Sequence, residues 1–154
     1  MNKIILLLLI VSASATSCRK EDKSSSRTDK PIAEGMVGVW LTTSETHEYY
    51  NSNNQKVFTK TVEPGWKYTF KDLLTVANPQ GQRQFQTAYS INNSNGKSYL
   101  SFTNEGRTET FEITSLEQET MSLHQEKTNV TYNDNGEKTA AKVISRFNFH
   151  CPCK

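Results

Sequence analysis

The stretch "GWKYTF", Gly65 to Phe70, decides the fold. Trp66, Tyr68 and Phe70 fall on one side of an extended chain, and Lys67 and Thr69 on the other. A period of two marks a strand with one face buried and one wet. The same alternation recurs downstream. "QFQTAYSI" sets Phe85, Tyr89 and Ile91 against Gln84, Gln86 and Ser90. "SYLSFT" offers Leu100 and Phe102, "TETFEIT" Phe111 and Ile113, "TMSLHQ" Met121 and Leu123, and "SRFNF" Phe147 and Phe149. Residues that tolerate positive φ separate these runs: "NSNNQ" (51–55), "NPQGQ" (78–82), "NNSNG" (92–96), "NEG" (104–106) and "NDNG" (133–136). No stretch after the polar linker at 19–31 shows a capped 3.6-residue period, so helix is confined to a short turn near Ile32 to Met36. The expectation is an all-β domain, a single antiparallel up-and-down β-barrel of about eight to ten strands, because closing a meander removes its exposed edges.

The totals agree with one such domain. The chain has 154 residues, 34% hydrophobic and 22% charged, with a net charge of +2. That balance argues neither for nucleic acid nor for an acidic partner, and no nucleic-acid partner is expected. Seven Phe, six Tyr and two Trp can fill a core in which aliphatic residues are few.

The N-terminus reads as an address. "MNKIILLLLIVSASATSC" has one cation, Lys3, an apolar run from Ile4 to Val11, then small residues up to Cys18. The run is far shorter than the roughly 20 residues that span a bilayer, so residues 1–17 read as a signal peptide. "ATSC", Ala15 to Cys18, resembles the lipobox of bacterial lipoproteins, with Ala15 where a larger aliphatic residue is usual. The resemblance implies that Cys18 is acylated and becomes the mature N-terminus, held in the membrane by its acyl chains. "RKEDKSSSRTDKP", Arg19 to Pro31, has no apolar residue and reads as a flexible tether, which extends the segment from Cys18 to residue 33. Lys20, Glu21 and Asp22 resemble the lysine-plus-acidic export signal of Bacteroidetes surface lipoproteins. The expected location is the bacterial outer membrane, with membrane lipid as the first partner and exposure at the cell surface left open.

Residues 34–154 then form the barrel domain. "VGVWLTT", Val37 to Thr43, is similar to the Gly-x-Trp opening of lipocalins, with Gly38 and Trp40 in the matching places. The succession of "WKYTF", "TAYSI", "YLSF" and "FEITSL" resembles the small lipocalin-like lipoproteins of the Bacteroidetes. Leu73 follows Asp72 where that family often has an Asp-Gly turn, and the long C-terminal helix of larger lipocalins is missing. The resemblance implies that Trp40 closes one end of the barrel against a basic side chain, for which Arg146 is the candidate. It implies an interior cavity without naming a ligand.

The residues for that interior are Trp40, Trp66, Tyr68, Phe70, Phe85, Tyr89, Phe102, Phe111 and Phe147. A barrel of about eight strands either holds one small apolar ligand or is filled by its own side chains, and so many rings leave both open. A protein partner, bound at the loops of a non-enzymatic interaction module, is the alternative. Enzyme motifs do not appear: no phosphate loop, nucleophile elbow, HExxH or calcium loop. His47, His124 and His150 are scattered and read as surface residues, and Glu109, Glu112, Glu117 and Glu119 as mostly solvent-facing charges. Asn92-Asn93-Ser94 and Asn129-Val130-Thr131 match glycosylation sequons but read as turn and strand. No cofactor is expected.

With Cys18 assigned to lipid, Cys151 and Cys153 remain at the end "FHCPCK". The first reading is a small disulfide finishing the barrel, worth roughly 1.6 kcal/mol for so short a loop. Metal binding by His150, Cys151 and Cys153 is the second, although three ligands within four residues strain a tetrahedral site, and free or mixed thiols are the third.

Overall fold

The computed structural model describes residues 32–152; the signal segment, Cys18, the tether to Pro31 and Cys153 lie outside the described residues. A short helix, α1 (Ile32–Met36), leads into ten strands: β1 (Gly38–Tyr50), β2 (Lys56–Val62), β3 (Lys67–Phe70), β4 (Leu74–Ala77) and β5 (Arg83–Thr87), then β6 (Tyr89–Ser94), β7 (Lys97–Asn104), β8 (Arg107–Leu116), β9 (Thr120–Asn133) and β10 (Glu137–His150). They make one sheet in the order β5-β4-β3-β1-β10-β9-β8-β7-β6, with β2 also paired to β1. Every pairing is antiparallel. The result is a nearly closed antiparallel up-and-down barrel, all-β as the alternation predicts and lipocalin-like as the resemblance implies.

Two of the strand breaks are kinks within longer strands. β2 pairs with the second half of β1 and β3 with the first half, so both lie along one edge of it. Pro64 between them has no N–H to give a ladder. Thr42 bridges the gap: its carbonyl accepts from Gly65 N, its N–H donates to Trp66 O, and its hydroxyl accepts from Trp66 N. The break between β5 and β6 yields to parity. They stand at the two ends of a path of nine mutually antiparallel neighbours, so they point the same way. With Ala88 alone between them they are one bent strand, hydrogen-bonded to β4 along its first part and to β7 along its second. Rejoining both pairs leaves a barrel of eight staves.

Alternation then assigns the turns to two ends. Residues 71–73, 95–96 and 117–119, the start of β1 and the end of β10 share the lower end with α1. The turns at 51–55, 78–82, 105–106 and 134–136 share the upper end. The lower end is sealed: Met36, Trp40, Phe70, Leu74 and Leu100 are 0% exposed. Trp40 does close this end, but its Nε1 donates to Met36 O at 2.8 Å. Arg146 is not its partner; that side chain lies on the outer wall, paired with Glu48. A helical turn supplies the polar contact expected of a basic residue.

Candidate functional site

The interior divides into two apolar clusters with a polar layer between them. The larger holds Trp40, Phe70, Phe102, Phe111 and Phe147 among its buried members, with Trp66, Tyr68, Phe85 and Tyr89 partly buried against it. All nine interior residues expected from the sequence therefore pack together. The smaller, towards the upper end, joins Tyr49, Ala140 and Val143 with Phe58, Val130 and Tyr132. Tyr49 and Tyr132 lie 4.5 Å apart by ring centroids, and Phe58 stacks on Tyr132 at 5.3 Å. Asn129, at φ 54°, lies within β9 where the buried parity changes from Gln125 to Val130 and Tyr132.

Register places the polar layer. Glu45 faces Phe147, His47 faces Ser145 and Tyr49 faces Val143 across β1 and β10, while Gln125 faces Ser145 from β9. These rows point inward because of a bulge between Thr42 and Ser44. One extra residue reverses the facing of everything after it. His47 Nδ1 is 2.8 Å from Ser145 Oγ and Nε2 is 3.0 Å from Glu45 Oε1. With Glu45 ionised, the neutral ring donates from Nε2 to Glu45 and accepts the Ser145 hydroxyl at Nδ1. Across the layer Gln125 Nε2 donates to Glu109 Oε2 at 2.7 Å and to Thr110 O, and Lys127 Nζ pairs with Glu109 at 2.6 Å. These side chains bridge a stretch where β8 and β9 are no longer paired, above Glu112 and His124.

His47 and Glu109 are corrections to the surface roles expected of them. The inward turn of Glu109 was readable, since it shares parity with Phe111 and Ile113. That of His47 was not, because it depends on the bulge. His124 does sit on the outer wall, where with Thr114, Ser122, Arg146 and Asn148 it lines a depression of about 130 Å³. A second depression, about 260 Å³, lies beside the bend at Ala88.

Rings connect the core to this layer. Phe85, Phe102, Phe111, Phe147 and His47 form a continuous row with successive centroids 5.9, 5.5, 5.4 and 5.9 Å apart. Phe102, Phe111 and Phe147 are 7%, 8% and 8% exposed, against 0% for the rings at the sealed end. These three rings are thus slightly less buried than Trp40 and Phe70, and Phe102 also lines the depression beside Ala88. Tyr68 packs edge-on against Phe149; burial, with the charge of Glu45 added, pushes its hydroxyl well above the ordinary tyrosine value.

The Glu45–His47–Ser145 chain has the connectivity of a nucleophile, base and orienting acid. It lacks the rest of an acyl-transfer site. Ser145 stands mid-strand with ladders to β1 and β9 on both sides, so the backbone N–H groups beside it are committed and offer no oxyanion hole. The waist itself is a floor of ring edges with hydrogen-bonding side chains around it.

Cys151 is buried at the lower end, its N–H donating to Glu119 O. The disulfide and metal readings both need Cys153, which lies outside the described residues. Among the described residues no group of three or more His, Cys, Asp or Glu is placed to hold a metal ion. None of their helices is long and apolar enough to cross a membrane. The chain matches no protein-family model, no curated protein and no solved structure.

Proposed function

We propose that the protein is a lipid-anchored barrel of the bacterial outer membrane, related to the small lipocalin-like lipoproteins. In this reading it is non-enzymatic and binds a small ligand with an apolar body at its waist. The polar layer carries the reading: Glu45, His47, Ser145 and Gln125 set hydrogen-bonding groups beside a continuous row of rings inside the barrel. Anchoring through Cys18 rests on the N-terminal sequence. In this reading the chain enters the described domain at the sealed end, where α1 begins, and the waist and upper turns face away from the lipid. A fluorescent apolar probe should bind the purified protein stoichiometrically, and Phe102→Ala should change its affinity while Leu73→Ala, at an exposed turn, should not. Absence of binding across several such probes would defeat the ligand reading.

The alternative, an interaction module docking on or inhibiting an outer-membrane complex, draws on the four turns gathered at the end remote from α1. Photocrosslinkers at Asn53 and Asn135 on intact cells discriminate between the two. One dominant protein adduct supports docking; a carrier gives none.

A further inference from the structure

Resting on the waist as the binding site, we infer that its ligand is a small organic ammonium, a primary or secondary amine on an apolar body. The charges of the waist point there. Glu109 is matched by Lys127, and both its oxygens are taken by Lys127 and Gln125. Glu45 is not matched in this way. Its one ion-pair partner among the described residues is His47, which carries charge only when protonated. Lys60 faces His47 across β2 and lies outside ion-pair reach of Glu45. The Glu45 side chain is only 14% exposed, and a half-buried carboxylate without a fixed cation holds a site of negative potential that favours a cation over a neutral molecule.

The hydrogen-bond inventory agrees. Glu45 spends Oε1 on His47 and leaves Oε2 without a bond among the described residues. Gln125 spends its amide N–H groups on Glu109 and Thr110 and leaves its Oε1 as an acceptor. With the His47 ring neutral and its proton on Nε2, Ser145 donates to Nδ1 and keeps lone pairs. The unspent groups are acceptors, and an ammonium brings donors. Beside them Phe147, directly across from Glu45, and Phe111 behind it offer apolar surface for the ligand's body.

The test uses two probes of one shape, benzylamine and benzyl alcohol, titrated into the purified full chain. Amide shifts of Glu45, His47 and Ser145 give the readout. Benzylamine should bind about tenfold more tightly than benzyl alcohol. Glu45→Gln should bring the two affinities together, while Glu117→Gln, on a lower turn, should leave their ratio unchanged. The same spectra report whether Glu45→Gln keeps the fold. Should it not, the unaltered protein decides by salt: added salt should weaken benzylamine and spare benzyl alcohol, and an equal effect on both would overturn the inference. Equal affinities in the unaltered protein would overturn the inference and leave the waist as an apolar site. A preference that survives Glu45→Gln would overturn it as well. Failure of both probes to bind would take the waist reading with it.

Discussion

Asn51 and Asn78 hold two upper turns by the same set of bonds. In each, the asparagine Oδ1 accepts the backbone N–H four residues on, from Gln55 at 3.0 Å and from Gln82 at 2.8 Å. In each, Nδ2 donates to that glutamine's Oε1, and the fourth residue turns left-handed, Asn54 at φ 57° and Gly81 at φ 81°. The common pattern is Asn-x-x-(Asn or Gly)-Gln, in which the short amide side chain stands in for a backbone partner. Asn54→Ala should therefore cost about 1 kcal/mol from left-handed strain, and Asn54→Gly no more than a few tenths. Urea melts of the two variants check this; equal destabilisation would mean that the side chain of Asn54, not its φ, supports the turn. The ring gradient makes a second prediction at this scale. Phe70→Ala should cost about 3–5 kcal/mol, because its dry site cannot admit water, and Phe102→Ala clearly less. A Phe102→Ala loss as large as that at Phe70 would show the waist to be sealed core.

At the scale of elements, the bulge in β1 does the most. Unbroken alternation from Trp40 and Thr42 would carry Ser44, Thr46, Glu48 and Tyr50 inward. The extra residue at Thr43 sends Glu45, His47 and Tyr49 inward instead and leaves Glu48 on the outer wall. There Glu48 accepts from Arg146, Lys56 and Tyr50. The Arg146 guanidinium, then Lys56, hold its carboxyl at about 2, below the ordinary 4.5. A folded value below the unfolded one means that this contribution is fully present above pH 4.5 and is lost as the pH falls through about 2. The stability gap between the unaltered protein and Glu48→Gln should thus be constant above pH 5 and shrink through that window in acid unfolding series. A gap independent of pH would show that the ion pair adds nothing beyond hydrogen bonding. The strands themselves were legible because rings on alternate residues report a buried face directly, and "QFQTAYSI" read as one run is the bent strand β5–β6. The facing of β1 was not legible, since a bulge alters register without altering composition. The waist stayed hidden for the same reason: Glu45, His47 and Ser145 meet only once β1 lies against β10, with Thr43 and Asn148 bonded 105 positions apart.

For the whole molecule, that distant pairing sets the difficulty of folding. β1 must find β10 before the barrel can close, and a loop of most of the domain must be fixed before the contact repays it. The sheet path shows how to remove the cost. Read from β6 through β7, β8, β9, β10, β1, β3 and β4 to β5, every neighbour would be a neighbour in sequence if the chain began at β6 and ended at β5. The existing ends suit that exchange, because β1 begins and β10 finishes at the lower end as adjacent strands, with Leu41 opposite His150. A permutant with residue 152 joined to residue 32 by a short glycine linker, and opened at Ala88, turns the β1–β10 pairing into a hairpin. The opening falls between two segments that share no ladder, so it severs one peptide link and no paired strands. Refolding followed by the fluorescence of buried Trp40 should speed up by about tenfold or more, since rate rises as contacts become local. Stability should fall modestly, because β5 and β6 no longer hold each other in line across the bend. An unchanged refolding rate in a permutant with the native spectrum would mean that β1–β10 pairing comes after the rate-limiting step, and that the barrel is nucleated within the β6–β9 meander.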